Sequence, residues 1–175
     1  MSATGLPARA TVVAAFGVID LLATRLGLEF QMEPERFAVF WPPNGLLLGV
    51  LLAARPARWP GFLAAATGVG LAVNLWQGNS WPVSAGFAAV NTAEPWAFAV
   101  LWRWAVGGTC RLDKAAGIVQ LFGGALVVCA ASAVPGAAVV VYGLGAPDFT
   151  RVWVTFWLAD AMGIMLVAPV VMTAA

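Results

Sequence analysis

The chain has 175 residues, of which 62% are hydrophobic and 10% are charged, and its mean hydropathy is +0.89. Soluble domains are about half apolar and about a quarter charged, and so small a chain cannot bury this much apolar surface in one core. The net charge of +1 excludes a polycationic surface for nucleic acid. The absence of histidine excludes His-ligated haem, Ser-His-Asp catalysis and most zinc or copper sites. We therefore expect a membrane protein without metal or cofactor.

Long, continuous apolar runs predict membrane-spanning helices rather than the alternating strands of a β-barrel. At about 20 residues for each span, the chain accommodates about six helices. We place them at 8–28, 37–54, 59–76, 81–102, 115–144 and 152–173. The expected fold is an all-α polytopic membrane bundle in which residues 1–175 form a single domain.

Lys and Arg residues divide unequally between the two sets of connecting loops. Six belong to one side, namely Arg9, Arg55, Arg58, Arg103, Arg111 and Lys114. Three belong to the other side, namely Arg25, Arg36 and Arg151. Because cytoplasmic loops carry the excess of basic residues, we expect both termini to be cytoplasmic, which agrees with an even number of spans.

Polar side chains occur within the predicted spans, where they are costly and usually face the bundle interior or mark a functional path. The set comprises the carboxyl groups of Asp20, Glu94 and Asp160, the amides of Asn44, Asn74 and Asn91, and the hydroxyl groups of Thr92 and Ser132. The helical rise of 1.5 Å per residue places most of them in the outer half and centre of the bilayer. Two interpretations remain open: a pocket open to the outside, or hydrogen bonds between amides and protonated acids that only cross-link helices.

Pro95 predicts a local break in the hydrogen bonding of the fourth helix. A proline cannot donate to the carbonyl of Asn91, four residues earlier. Asn91 and Glu94 are three residues apart and therefore share a helix face. We expect a free carbonyl, an amide and a carboxyl group to converge at a kink there.

The Trp41-Pro42-Pro43-Asn44 segment affects the start of the second helix, because prolines suit only the first turn. A helix from Pro42 to Ala54 is about 20 Å long, shorter than a hydrocarbon core of about 30 Å. Either the helix begins below the outer surface, with residues 37–41 as irregular backbone covered by protein, or a tilted helix starts at the interface.

Several short motifs occur in a fixed order from about residue 37 onward. They are Trp41-Pro42-Pro43-x-Gly45, Trp59-Pro60-Gly61 before a helix that ends in Asn74, Asn91-x-x-Glu94, and Trp157-x-x-Asp160-x-x-Gly163 running into Ala168-Pro169. In this order they resemble the membrane-associated sensor domain of the first MASE type. The family usually has about eight spans and an output domain, so this chain resembles a fragment or a reduced, stand-alone version.

The resemblance implies a non-catalytic sensory input module of the bacterial inner membrane. Such domains pass signals to a histidine kinase or a diguanylate cyclase, here in cis or in trans, and some take their signal from a membrane protein partner. We expect Asp160 and Glu94 to respond to a ligand or partner, with Asn91 and Asn44 orienting them and with Trp41, Asp20 and Asn74 in the same pocket. The alternatives are a substrate-binding subunit of a small-molecule transporter and a structural subunit of a larger membrane complex.

Overall fold

The computed structural model describes residues 5–32, 37–107 and 112–174, and within these ranges the fold is built from six α-helices. The helices are α1 (Gly5–Glu29), α2 (Pro42–Ala53), α3 (Trp59–Trp76), α4 (Trp81–Val106), α5 (Ala115–Leu144) and α6 (Phe149–Ala174). A two-residue antiparallel pair, β1 (Gln31–Met32) with β2 (Phe37–Ala38), lies between α1 and α2, and a 3-10 turn (Pro56–Arg58) precedes α3. The predicted all-α architecture is confirmed for the described residues.

Prolines, glycines and one aspartate cap explain several of the helix ends. The predicted start of the second helix at residue 37 is wrong, because α2 begins at Pro42, where the missing N–H costs no helical hydrogen bond. The fourth helix continues past residue 102 to Val106 and ends at Gly107, which has a left-handed φ of 70°. The sixth begins at Phe149 rather than 152, because the Asp148 side chain caps it by accepting a hydrogen bond from the N–H of Arg151 at 3.0 Å.

The short helix α2 lies at the centre of the bundle and contacts α1, α3, α4 and α6. All of its residues from Pro42 to Gly49 are buried. Its contact with α6 is backbone-close: a Cβ atom on Gly45 would overlap the carbonyl of Gly163, and one on Gly163 would overlap the carbonyl of Trp41. The N–H of Trp41 donates to the carbonyl of Ala159 at 3.2 Å. The irregular backbone before α2 is therefore covered by α6.

Apolar side chains cover much of the outer surface, whereas several polar side chains are buried inside the bundle. Exposed apolar residues include Val12, Ile19, Val119, Val127 and Leu166. In the described part of the chain, three helical stretches are long and apolar enough to cross a membrane: Arg9–Glu29, Ala115–Leu144 and Phe149–Ala174. The 12 residues of α2 extend only about 18 Å, so this helix does not cross a bilayer alone. An apolar exterior, combined with polar side chains buried in the core, indicates lipid as the surrounding solvent.

Candidate ligand-binding site

Glu94 is the point at which three helices are joined by hydrogen bonds. This residue of α4 precedes Pro95 and is 2% exposed. The amide Nδ2 of Asn44, in the first turn of α2, donates to Glu94 Oε1 at 2.7 Å. The hydroxyl of Ser132 on α5 donates to Glu94 Oε2. Both oxygens of a carboxyl group buried in the bundle thus have a donor, which removes most of the cost of burying it.

Asp160 lies beside this network on α6 and is 3% exposed. Its carboxyl group is close enough to Glu94 for the two to interact electrostatically. The thiol of Cys129 on α5 is near both acids. Among the described residues, no side chain donates a hydrogen bond to Asp160. The carboxyl group of Asp160 therefore has unused hydrogen-bonding capacity.

Asp160 faces a cavity of about 520 Å³, which we call the large cavity. It lies where α1, α3 and α5 end and where α4 and α6 begin. Its polar lining comprises Gln31, Asn74, Gln77, Asn79, Asn91 and Asp160, and its aromatic lining comprises Trp41, Phe87 and Phe156. Pockets for small molecules typically measure about 300–1,000 Å³ and combine apolar surface with a few polar groups. The large cavity has both properties.

A second, small cavity of about 20 Å³ lies deeper, between α1, α2, α3 and α4. The polar side chains that line it are Asp20, Thr24, Asn44, Asn91 and Thr92. Asp20 Oδ1 is buried and has no hydrogen-bond partner among the described residues. A polar cavity of this volume accommodates about one water molecule. Asn91 and Trp41 line both cavities and separate one from the other.

The seven residues expected in one pocket are thus distributed over two cavities and the network between them. Trp41, Asn74, Asn91 and Asp160 line the large cavity. Asn44 and Asp20 line the small one, together with Asn91 and Trp41. Glu94 lines neither, since its carboxyl oxygens are occupied by Asn44 and Ser132.

Asn74 belongs to the rim of the large cavity rather than to its polar interior. Its Nδ2 donates to the carbonyl of Gly70 at 2.8 Å, and its Oδ1 accepts a hydrogen bond from Asn79 Nδ2 at 3.1 Å. The first bond lies within α3, and the second links the end of α3 to the turn before α4. The side chain of Asn74 therefore shapes the entrance, and its hydrogen-bonding capacity is largely used.

The sequence did not assign a role to every residue of the site. Ser132 stands out as a polar residue within a predicted span, three positions before Pro135, but the sequence does not reveal that its partner is Glu94. Phe87 and Phe156 have stacked rings with centroids 6.1 Å apart. An aromatic residue in an apolar span has no local mark that separates a cavity lining from a lipid contact.

The described residues contain no group of three or more His, Cys, Asp or Glu side chains that could hold a metal ion. An apolar exterior, a polar network in the core and a cavity at one end of the bundle define a helical membrane protein with a buried polar site. A family model for MASE1 matches residues 12–175. The chain belongs to the MASE1 family of membrane sensory domains, as the motifs predicted. Neither the curated proteins nor the solved structures provide a match to the chain.

Proposed function

We propose that the chain is a non-catalytic sensory input module of the bacterial inner membrane, and that the large cavity receives its stimulus. The observation that carries this proposal is the position of Asp160. Its carboxyl group faces the large cavity and interacts with Glu94, whose hydrogen bonds join α2, α4 and α5. A molecule that contacts Asp160 therefore acts next to the hydrogen bonds of Glu94 that join α2, α4 and α5.

The proposed topology has six spans, the second formed by α2 together with the irregular segment before it, with both termini in the cytoplasm and the large cavity facing away from it. Arg103, near the end of α4, donates from Nη2 to the carbonyl of Ala54 at 2.8 Å and lies over the ring of Trp59. This basic end, with Arg55 and Arg58, is opposite the cavity. Arg36 and Arg111, which also entered the charge count, lie outside the described residues. The excess of basic residues at the end remote from the cavity supports the orientation.

Helix α6 is the proposed output element. It contributes Asp160 to the cavity and continues to Ala174, the last described residue, at the basic end. Its contact with α2 through Gly45 and Gly163 is so close that α6 cannot shift without changing the packing of α2. A stimulus alters the arrangement only if it binds two arrangements with different affinity. The output is a histidine kinase or a diguanylate cyclase in cis or in trans, and a membrane protein partner can supply the stimulus.

A substrate-binding subunit of a transporter remains the second candidate, because a cavity of about 520 Å³ suits a small molecule in either case. Membership of a family of sensory domains favours the sensor. The transporter subunit predicts a ligand that stays bound through purification and an energising partner protein. No feature of the described residues favours a purely structural subunit.

The proposal is tested by measuring signalling output in cells, as kinase autophosphorylation or cyclic dinucleotide level. Asp160→Asn and Glu94→Gln keep the size of each side chain but remove its ability to ionise, so we expect altered basal or stimulated output at unchanged membrane abundance. Thr155→Ala is the matched control on α6, since the Thr155 hydroxyl donates to the carbonyl of Arg151 in its own helix. Unchanged output from both acid variants would overturn the proposal.

A further inference from the structure

The chemistry of the large cavity restricts what it can bind. We propose that it takes a small organic amine, bound as an ammonium ion, whose N–H groups donate to the carboxyl group of Asp160. The inference rests on the proposed function, because it concerns the same site. It names the ligand class, which the family match leaves open.

The first argument is hydrogen bonding at the inner end of the cavity. Asp160 is 3% exposed and lines the cavity, and no side chain among the described residues donates to it. Glu94 does not offer a second binding group to the ligand, because its two carboxyl oxygens already accept hydrogen bonds from Asn44 and Ser132. The ionised form of the Asp160 carboxyl group offers only acceptors. A ligand that binds this form therefore contacts it through a hydrogen-bond donor.

The second argument is charge. Of the described residues that line the large cavity, none is Lys or Arg. Arg25 at the same end of the bundle lies over the ring of Trp76, 4.2 Å from its centroid, and does not line the cavity. The two neighbouring carboxyl groups therefore face no cation from the described part of the cavity lining, which favours a positive group and disfavours an anion. A charged N–H donor also forms stronger hydrogen bonds with a carboxylate than a neutral donor does.

The third argument is the aromatic lining. Trp41, Phe87 and Phe156 line the cavity from three separate parts of the chain: the segment before α2, α4 and α6. The face of an aromatic ring attracts a cation, and the attraction increases when the site excludes water. Val140 and Leu144 on α5 add apolar surface for the body of the ligand. A carboxyl group combined with aromatic rings suits a compact amine with an apolar body.

The test compares three molecules that share one indole ring and differ in the terminal group. Tryptamine carries an ammonium group at neutral pH, tryptophol carries a hydroxyl, and indole-3-propionate carries a carboxylate. Binding to the purified full chain in nanodiscs is measured by calorimetry. We expect tryptamine to bind about tenfold more tightly than tryptophol, because its hydrogen bond to Asp160 is charge-assisted. The carboxylate is expected to bind least.

Two variants test whether the preference for tryptamine over tryptophol depends on Asp160. Asp160→Asn should remove the preference for tryptamine over tryptophol, while binding of tryptophol changes little. Asp148→Asn is the matched control, because it removes an exposed acid next to the start of the same helix. Equal or tighter binding of the alcohol or the acid would overturn the inference. So would tryptamine binding that does not depend on Asp160, or the absence of binding by all three molecules.

These results are separable from a failure of the proposed function. If Asp160→Asn alters signalling output but no amine preference is found, the ligand class is wrong and the sensory role stands. If the amine binds through Asp160 but output is unchanged in the variants, the ligand class stands and the sensory role is wrong.

Discussion

Glu94 illustrates how a single buried carboxyl group organises this bundle. A carboxyl group surrounded by apolar helices is costly unless each oxygen has a donor. Asn44 supplies one donor from α2 and Ser132 supplies the other from α5. Asn44 occupies the first turn of α2, and its position depends on where Pro42 and Pro43 start that helix. The local proline pattern and the long-range hydrogen bond are thus directly connected.

Replacing Asn44 by alanine should leave Glu94 Oε1 buried without a donor. We expect the free energy of unfolding to fall by about 1–3 kcal/mol, as measured by denaturant titration of the protein in detergent. The control is Asn79→Ala, which removes an amide that donates to Asn74 Oδ1 at the partly exposed rim of the large cavity. A loss for Asn44→Ala no greater than that for Asn79→Ala would contradict the role assigned to this bond.

At the scale of elements, α2 is short, buried and in contact with four other helices. Its glycines allow α6 to approach at backbone distance, which increases van der Waals contact between helices that the hydrophobic effect does not hold together in lipid. The approach also positions the hydrogen bond from Trp41 N–H to the carbonyl of Ala159, next to Asp160. The packing of α2 on α6 therefore determines where the key carboxyl group of the cavity lies.

Gly163→Ala tests this packing, because the added Cβ atom would overlap the carbonyl of Trp41. We expect a loss of about 1–3 kcal/mol in stability and a lower Tm by differential scanning fluorimetry. Gly123→Ala on α5 is the control, since a Cβ atom there has no other atom within 4 Å. In that helix the change should be neutral or stabilising by up to about 1 kcal/mol. Similar Tm values for both variants would refute the close contact.

At the scale of the whole molecule, the cavity and the basic cluster lie at opposite ends of the bundle. Pro147, after α5, lines the large cavity, whereas Ala57 belongs to the 3-10 turn at the other end, between Arg55 and Arg58. Basic residues are retained on the cytoplasmic side during insertion. The same asymmetry that orients the chain would therefore present the large cavity to the outside.

Cysteine labelling in spheroplasts measures this orientation. Cys110 is replaced by serine, and Cys129 is left in place because it is buried. Pro147→Cys should react with a membrane-impermeant maleimide in intact spheroplasts, whereas Ala57→Cys should react only after lysis. Both positions are exposed in the fold, so access differs only by the side of the membrane. Reaction of Ala57→Cys in intact spheroplasts would reverse the proposed topology.

The sequence by itself determined the properties that depend on short segments. Hydropathy predicted the helices, and the predicted bounds of α3 and α5 coincide with the observed ones. The proline pair gave a late start for α2 as one of two alternatives, whereas the predicted range of 37–54 began the helix too early. The ordered motifs identified the MASE1 family. Each of these depends on residue type and local spacing, which a linear chain displays directly.

Only the tertiary structure decided which polar groups meet. It joined Asn44 and Ser132 to Glu94, separated Asp20 from Asp160 into different cavities, and added Phe87 and Phe156 to the cavity lining. The reason is that contacts between helices depend on the rotation of each helix about its axis and on its axial position relative to its neighbours. Those two quantities result from packing across the whole bundle, and no single segment encodes them.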